Sequence, residues 1–268
     1  MLDSHNMSSK TNKYQIVNAY FRWGISTYGC IDGYSRLITF VHADTNNKAT
    51  TVLKHFVKSC SMYSIPSRIR TDQGRENVMV ALFINLINGE GRHSHIAGKS
   101  VHNQRIERLW KDVFTQVIEK YYNKFYSMED DGLLDIDNSS HILALQIVFM
   151  PVINEELEIF QQGWNNHKLS SENNQTPHQL WLNGILHNMN SNATPITNMH
   201  QNSLSEHFED QIRTYGLNPN NFPEERDEAE ENIISAEQKN ELLSQLTDMI
   251  SEQKYDKVLS YFKEIGVV

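Results

Sequence analysis

Two acidic residues stand in sequence settings that suit metal-dependent chemistry. Asp72 ends a short run of strand-forming residues and is followed by Gln73-Gly74, a sharp turn that would keep its carboxylate exposed at a sheet edge. Glu107 follows with 34 residues between, on a predicted helix and beside an apolar stripe. Carboxylates placed in this way bind hard cations, which in phosphodiester cleavage activate the attacking oxygen and stabilise the leaving oxygen. A turn-forming Asp72 and a solvated Glu107 explain the same residues without any chemistry.

Basic and amide side chains surround Glu107 along the chain. They are Lys99, Asn103, Arg105, Arg108 and Lys111. Such side chains position a phosphate backbone without reading its base sequence. The cluster therefore predicts nucleic-acid binding, and the alternative is an ordinary solvated helix face. His93 and His95 lie just upstream with a spacing that fits no metal motif, and they are interpreted either as plain loop residues or as contacts to a DNA end.

The elements that must position these side chains follow from residue type and periodicity. β-Branched and aromatic runs predict strands over 14–17, 22–31, 36–42 and 67–72, with a short fifth strand near 95–96. Apolar residues at helical spacing predict helices over 47–62, 78–87, 101–124 and 141–164. Asn46 or Asn47 would cap the first helix. Pro151 would kink the fourth helix or divide it in two. Strands first and helices after predict a mixed α/β domain.

The third predicted helix, which carries Glu107, has an apolar stripe along one face. Its members are Ile106, Leu109, Trp110, Val113 and Val117. Trp110, Trp164 and Trp181 all fall in helical apolar patterns, so they are interpreted as core anchors and not as platforms for base stacking. Trp23, at the start of a strand, is left open between these two roles.

Four motifs, in order along the chain, resemble those of retroviral integrases and related DDE transposases. The second-strand motif is Ile31-Asp-Gly-Tyr-Ser35-Arg, and the motif of the second catalytic Asp is Arg70-Thr-Asp72-Gln-Gly74. The glutamate helix is His102-Asn-Gln-Arg-Ile-Glu107-Arg-Leu-Trp. The closing segment consists of Trp164-Asn-Asn-His167 and Gln175-Thr-Pro177-His-Gln-Leu-Trp181. The matches cover about residues 14–183. In detail they are most similar to integrase-like proteins of cut-and-paste elements that have become host genes in animals.

The resemblance implies an RNase H-like fold and a specific activity. The expected fold is a mixed five-stranded sheet flanked by helices, with an added C-terminal helical region. The implied boundaries are an integrase core over 14–125, a helical extension over 126–187 that closes the core, and a linker with an acidic, partly helical tail over 188–268. The implied activity is metal-dependent polynucleotidyl transfer in DNA integration or transposition, with Asp72 and Glu107 as catalytic and metal-binding residues and Mg²⁺ or Mn²⁺ as cofactor.

One departure from the family pattern bears directly on that activity. The family's first catalytic Asp precedes the second-strand motif by some seventeen residues, a position that Gln15 occupies here. Glutamine offers a carbonyl oxygen but no charge, so a two-metal site would lose much of its affinity and the triad is predicted to be degenerate. Asp32 is an alternative first carboxylate, although its place before Gly-Tyr-Ser favours a role in a turn.

Charge is distributed unevenly between the two ends of the chain. The net charge is −9, and residues 201–268 hold 15 of the 33 acids but only 6 of the 24 bases, so the front part is neutral. Phosphate affinity depends on Lys and Arg, so the acidic tail suits a protein partner or self-inhibition better than it suits DNA. No run approaches the roughly 18 apolar residues that a membrane span needs. The two cysteines fit no zinc motif.

These observations leave two functional hypotheses, beside the third possibility of a decaying element copy with no selected function. The first is a DDE-type transferase that acts on DNA ends, with impaired catalysis at Gln15. The second is a domesticated, non-catalytic module that keeps the integrase fold to bind nucleic acid or protein. In both we expect an intracellular, nuclear protein with DNA as a partner, and by resemblance a homo-oligomer.

Overall fold

A five-stranded sheet lies at the centre of the computed structural model, in the strand order β3-β2-β1-β4-β5. The strands are β1 (Lys13–Phe21), β2 (Ile25–Asp32), β3 (Ile38–Asp44), β4 (Arg68–Thr71) and β5 (His95–Ala97). The first three form an antiparallel meander, and β4 and β5 extend it in parallel on the other side of β1. The structure describes residues 13–72, 74–89, 91–98, 104–189, 234–246 and 249–265.

Helices cover both faces of the sheet. They are α1 (Ala49–Tyr63), α2 (Val78–Asn88), α3 (Gln104–Val113), α4 (Glu119–Asp130), α5 (Ser139–Asn166), α6 (Pro177–Met189), α7 (Ala236–Gln245) and α8 (Ser251–Glu264). Alternate side chains of β2 enter two different apolar clusters, because successive residues of a strand point to opposite faces. Tyr28 and Cys30 pack with α1 and α2, whereas Ile25 and Ile31 pack with α3 and α5. The mixed α/β prediction is therefore confirmed.

The helix that carries Glu107 is longer than its sequence pattern predicts. A π-helical stretch, Phe114–Ile118, joins α3 to α4, so one helical segment runs over 104–130. Leu109, Val113 and Val117 are buried, which confirms the apolar stripe at these positions. Gly29 of β2 lets this helix approach closely, because a Cβ there would lie 3.4 Å from the indole ring of Trp110.

Helix α5 is not divided at Pro151. It runs for 28 residues with Pro151 inside it, so the predicted division into two helices is wrong. Proline removes one intrahelical hydrogen bond, at a cost of about 3 kcal/mol, and the burial of side chains such as Phe149, Ile153 and Leu157 offsets this cost. The predicted cap of α1 is also corrected: Lys48 is the N-cap, and its side chain makes no capping hydrogen bond.

Trp23, whose role the sequence left open, is a core residue. Its side chain is only 1% exposed and makes edge-to-face contacts with Tyr122, Phe125 and Tyr126. The indole N–H donates to the carboxylate of Glu129. This satisfied polar atom and the surrounding rings are typical of an anchoring tryptophan and leave no face for base stacking.

The free edge of β3 is covered by amide side chains of α5. Asn154 accepts from Ala43 N–H (2.8 Å) and donates to Ala43 C=O (2.9 Å). Asn165 makes the same pair of bonds to Ile38, at 2.8 and 2.9 Å. Asn154 and Asn165 are eleven residues apart on the helix, a rise of about 16.5 Å. Ile38 and Ala43 are five residues apart on the strand, which is about the same distance. The two asparagines therefore match these two backbone positions, with the strand antiparallel to the helix. The side chains thus satisfy an edge that would otherwise pair with another chain.

We expect Asn165→Ala to lower the free energy of unfolding by about 2 kcal/mol, because the buried Ile38 N–H loses its only acceptor among the described residues. The carbonyl of Ile38 keeps the bond from Gln161. Urea unfolding followed by circular dichroism measures the change. Asn166→Ala is the matched control, since Asn166 is exposed and, within the described part of the chain, bonds only locally, to Gln162 C=O. Equal losses in the two variants would contradict the role assigned to Asn165.

The two C-terminal helices belong to the same core as α5. Leu242, Tyr255, Val258 and Phe262 are at most 2% exposed and lie in the cluster that contains the α5 side chains. Apolar residues at helical spacing supply the buried faces of these two helices. The predicted linker and the acid-rich part of the tail fall mainly on residues 190–233, outside the described residues. None of the described helices has the length and apolar character to cross a membrane.

Candidate active site

Asp72 is the first residue after β4 and is held by the turn that follows it. Its Oδ1 accepts from the backbone N–H of Gly74 (3.3 Å) and from Nδ2 of the buried Asn77 (2.7 Å). Its Oδ2 has no hydrogen-bond partner among the described residues. One oxygen therefore fixes the orientation of the half-buried carboxylate and leaves the other available to a ligand. Sequence reasoning did not identify Asn77, although an amide five residues after an Asp is a signal compatible with such a bond.

His95 supports the strand that leads to Asp72. It lies in β5, and its Nε2 is 2.9 Å from Oγ1 of Thr71, which in turn donates to the backbone carbonyl of Asp72 (2.8 Å). Burial lowers the pKa of His95, and the Thr71 hydroxyl, which donates to Asp72, is placed to accept from Nε2. This geometry favours a structural role for His95. His93 is exposed, with a positive φ of 49°.

Glu107 lies on the first turn of α3, and α3 packs against β1, the strand beside β4. Its carboxylate is exposed and makes no ion pair with a described residue. Arg108 and Lys111, from the predicted nucleic-acid-binding set, are exposed on the same helix. The side chain of Arg105, together with Lys99 and Asn103, lies outside the described residues.

Gln15 occupies the middle strand of the sheet. In backbone register it pairs with Ile31 of β2 on one side and with Arg70 of β4 on the other. Its side chain lies outside the described part of the structure. As a glutamine it carries an uncharged amide, and its strand lies next to β4, which Asp72 follows. Among the side chains that the structure describes, one group of His, Cys, Asp or Glu residues could jointly hold a metal ion. It consists of His42, Asp44 and His55, on β3 and α1. Asp72 and Glu107 are not part of this group.

Asp32 forms a turn, as its sequence context favours. The residue is 1% exposed, and its Oδ2 accepts from the backbone N–H (2.8 Å) and the hydroxyl (2.6 Å) of Ser35. Its backbone N–H donates to Leu37 C=O (2.8 Å), which closes the connection between β2 and β3. The Oδ2 atom of this buried carboxylate is therefore committed to the turn.

A cleft of about 570 Å³ lies between α3 and the segment that follows α5, and we call it the basic cleft. Its cationic lining residues are Arg36, Arg108 and Lys168, with His167 and Ser170 beside them. Arg36 has a positive φ of 64°, and its guanidinium donates to Glu172 at 2.7 Å and to Ser171 at 3.1 Å. Trp164 donates to Arg36 C=O (2.8 Å) and so fixes the segment. The sequence identified Arg108 but not Arg36 or Lys168, because only the fold brings these cations to one cleft.

Comparison with known proteins supplies a family. A family model described as an integrase core domain matches residues 15–195. Among solved structures, the HTLV-2 integrase catalytic core domain in complex with magnesium is 14% identical in its trimeric form, with 63% of this chain and 95% of that chain covered and a TM-score of 0.41. The dimeric form of the same domain is also 14% identical, with 64% of this chain and 96% of that chain covered and a TM-score of 0.41.

A third similar structure is the simian T-cell lymphotropic virus intasome in complex with PP2A regulatory subunit B56 gamma. It is 13% identical to this chain, with 64% of this chain and 54% of that chain covered and a TM-score of 0.43. None of the curated proteins matches the sequence.

Proposed function

This chain belongs to the integrase core domain family, whose model spans residues 15–195, and from that premise we propose that it is a DNA-end-binding core of the DDE polynucleotidyl transferase type with impaired strand-transfer chemistry. The observation that carries the proposal is the neutral Gln15 on β1, beside the strand that ends at Asp72. Asp72 and Glu107 supply two of the three carboxylates that such a site uses. Mg²⁺ or Mn²⁺ would find two charged ligands here, which falls short of a two-metal centre.

The basic cleft supports nucleic acid as the binding partner. Arg108 follows Glu107 directly on α3 and lines the cleft together with Lys168, so one cation of the cleft is the sequence neighbour of Glu107. Arginine and lysine contact phosphates and release condensed counterions, which gives sequence-independent affinity. Arg36 is partly neutralised by Glu172, and Asp112 also lines the cleft, so its positive charge comes mainly from Arg108 and Lys168. Binding of a DNA end does not require the third carboxylate, and it is retained while chemistry is impaired.

We expect Arg108→Gln to weaken DNA binding about equally for different sequences and to reduce the slope of log affinity against log salt by about one, because one phosphate contact is lost. Fluorescence anisotropy with labelled duplex ends over a salt series measures both quantities. Lys239→Gln on α7 is the matched control, because it removes the same charge from an exposed helix position outside the basic cleft. An unchanged slope in Arg108→Gln, or the same loss in the control, would count against this cleft as the binding surface.

The proposal is tested with the purified full chain and a labelled DNA end. We expect salt-dependent binding together with nicking close to background in Mg²⁺ or Mn²⁺. Absence of binding at low salt would overturn the DNA partner. Strong nicking that Glu107→Gln abolishes would overturn the impaired site and show that two carboxylates suffice.

A second candidate function is a domesticated module that binds DNA or protein without catalysis. It is favoured by residues 201–233, which hold 9 acids and only 2 bases and suit a basic protein surface better than a phosphate backbone. The first candidate places the protein with DNA, and therefore in the nucleus, and self-association of the core is proposed for both. They differ in whether restoring a carboxylate at position 15 restores chemistry.

A further inference from the structure

We propose that His42, Asp44 and His55 form a Zn²⁺ site that clamps helix α1 to strand β3. The site does not depend on the proposed function, because β3 is separated from β4 and Asp72 by strands β2 and β1. His42 and Asp44 are two residues apart on β3 and so point to the same face of the sheet. His55 comes from α1, which packs over that face.

The separations of the ligand atoms suit one metal ion. One ligand atom from each of the three side chains lies within 4.8 Å of the other two. His55 Nε2 and Asp44 Oδ2 are 3.4 Å apart, which is longer than the roughly 2.7–2.9 Å of a charge-assisted hydrogen bond. Two ligands bound at about 2.1 Å to a tetrahedral zinc are themselves about 3.4 Å apart. The pair is thus spaced as co-ligands are, and the ring of His42, 4.3 Å from that of His55 between centroids, completes the group.

The surroundings orient the ligands and leave one side open. Asp44 Oδ1 accepts from the backbone N–H of Thr45 (2.8 Å), which leaves Oδ2 directed at His55. Such outer bonds fix the geometry of carboxylate ligands in metal sites. The rings of Tyr28 and Phe40 stack against His55 and restrict its motion. His42 and His55 also line a cleft of about 680 Å³, from which water can supply a fourth ligand.

Two imidazoles and one carboxylate select zinc over magnesium. Imidazole suits Zn²⁺ and other late transition metals, whereas Mg²⁺ takes oxygen ligands almost exclusively. Lys54 and Lys58 of α1 act electrostatically on His42 and oppose a bound cation. The site therefore has three residues, of which only Asp44 carries a negative charge, and it binds Zn²⁺ more weakly than an all-cysteine structural site. Its effect is to stabilise the contact between α1 and β3.

Calorimetric titration of the full chain with Zn²⁺, after treatment with chelator, tests the site. We expect Asp44→Asn and His55→Ala each to weaken binding at this site at least about tenfold, and to remove the rise in Tm that Zn²⁺ causes in the wild type. The chain has 12 histidines, so His187→Ala, at an exposed position of α6, controls for binding elsewhere. Wild-type affinity and an unchanged rise in Tm in Asp44→Asn and His55→Ala would overturn the proposal.

A second measurement keeps the test decisive if His55→Ala does not fold. Asn is isosteric with Asp and retains the oxygen that accepts from Thr45, so Asp44→Asn is expected to fold. Anomalous diffraction at the zinc edge from wild-type crystals grown with Zn²⁺ should place a peak between His42 and His55. A zinc peak only at other positions, or no peak, would refute the site.

Discussion

Replacing Gln15 by Asp is expected to raise Mg²⁺-dependent nicking of a labelled DNA end at least about a hundredfold above the wild type. The substitution returns a negative charge to β1, next to the strand that ends at Asp72. A metal ion contributes several kcal/mol to stabilising a phosphoryl transition state, and about 3 kcal/mol of that corresponds to about a hundredfold in rate. The gain should require both native carboxylates, so adding Asp72→Asn or Glu107→Gln to the variant should return nicking to background.

The matched control for this experiment is Gln15→Asn. Asparagine has the size and shape of aspartate without its charge, so it separates the effect of charge from that of a shorter side chain. We expect Gln15→Asn to remain at the wild-type level. Equal activity in the Asp and Asn variants, or a wild type that is already active and unaffected by Gln15→Asp, would refute the assignment of position 15. A Gln15→Asp variant that binds DNA but stays inactive would favour the non-catalytic module.

The family and the main elements could be predicted from the sequence because their signals are local. Asp72 followed by Gly74, and Glu107 beside the stripe of Leu109 and Val113, depend on residue type and periodicity alone. The match of the family model to residues 15–195 confirms the integrase resemblance. The turn at Asp32 was predicted for the same reason, since an Asp that bonds a serine three residues later is a short-range feature.

The features that the sequence did not predict depend on contacts between distant segments. The pairing of Asn154 with Ala43 requires the position of α5 along β3, which no local pattern contains. The cluster of His42 and His55 likewise exists only because α1 packs over β3. Pro151 was predicted to kink or divide the helix because a local rule was applied without knowledge of the burial that offsets its cost.

The acidic tail requires a different test from simple deletion. The acid excess lies in residues 201–233, whereas α7 and α8, further along, contribute buried residues to the core. Deleting 201–268 would therefore remove charge and core packing together, and a change in DNA binding could not be assigned to either. Replacing the acids of 201–233 with their amides removes the charge alone. Tighter DNA binding at low salt after this change would support self-inhibition, and unchanged affinity would exclude it.

The core role of the C-terminal helices leads to the second large expected effect. Leu242→Ala should lower the free energy of unfolding by about 3 kcal/mol, whereas Leu243→Ala should lower it by less than about 1 kcal/mol. The two residues are neighbours on α7, but Leu242 is 0% exposed within the α5 cluster and Leu243 is 40% exposed. The cost of truncating a buried leucine includes the cavity left behind, which an exposed leucine does not create. Urea unfolding of the full chain measures both values, and similar small losses in the two variants would show that α7 is an appendage on a core that is stable without it.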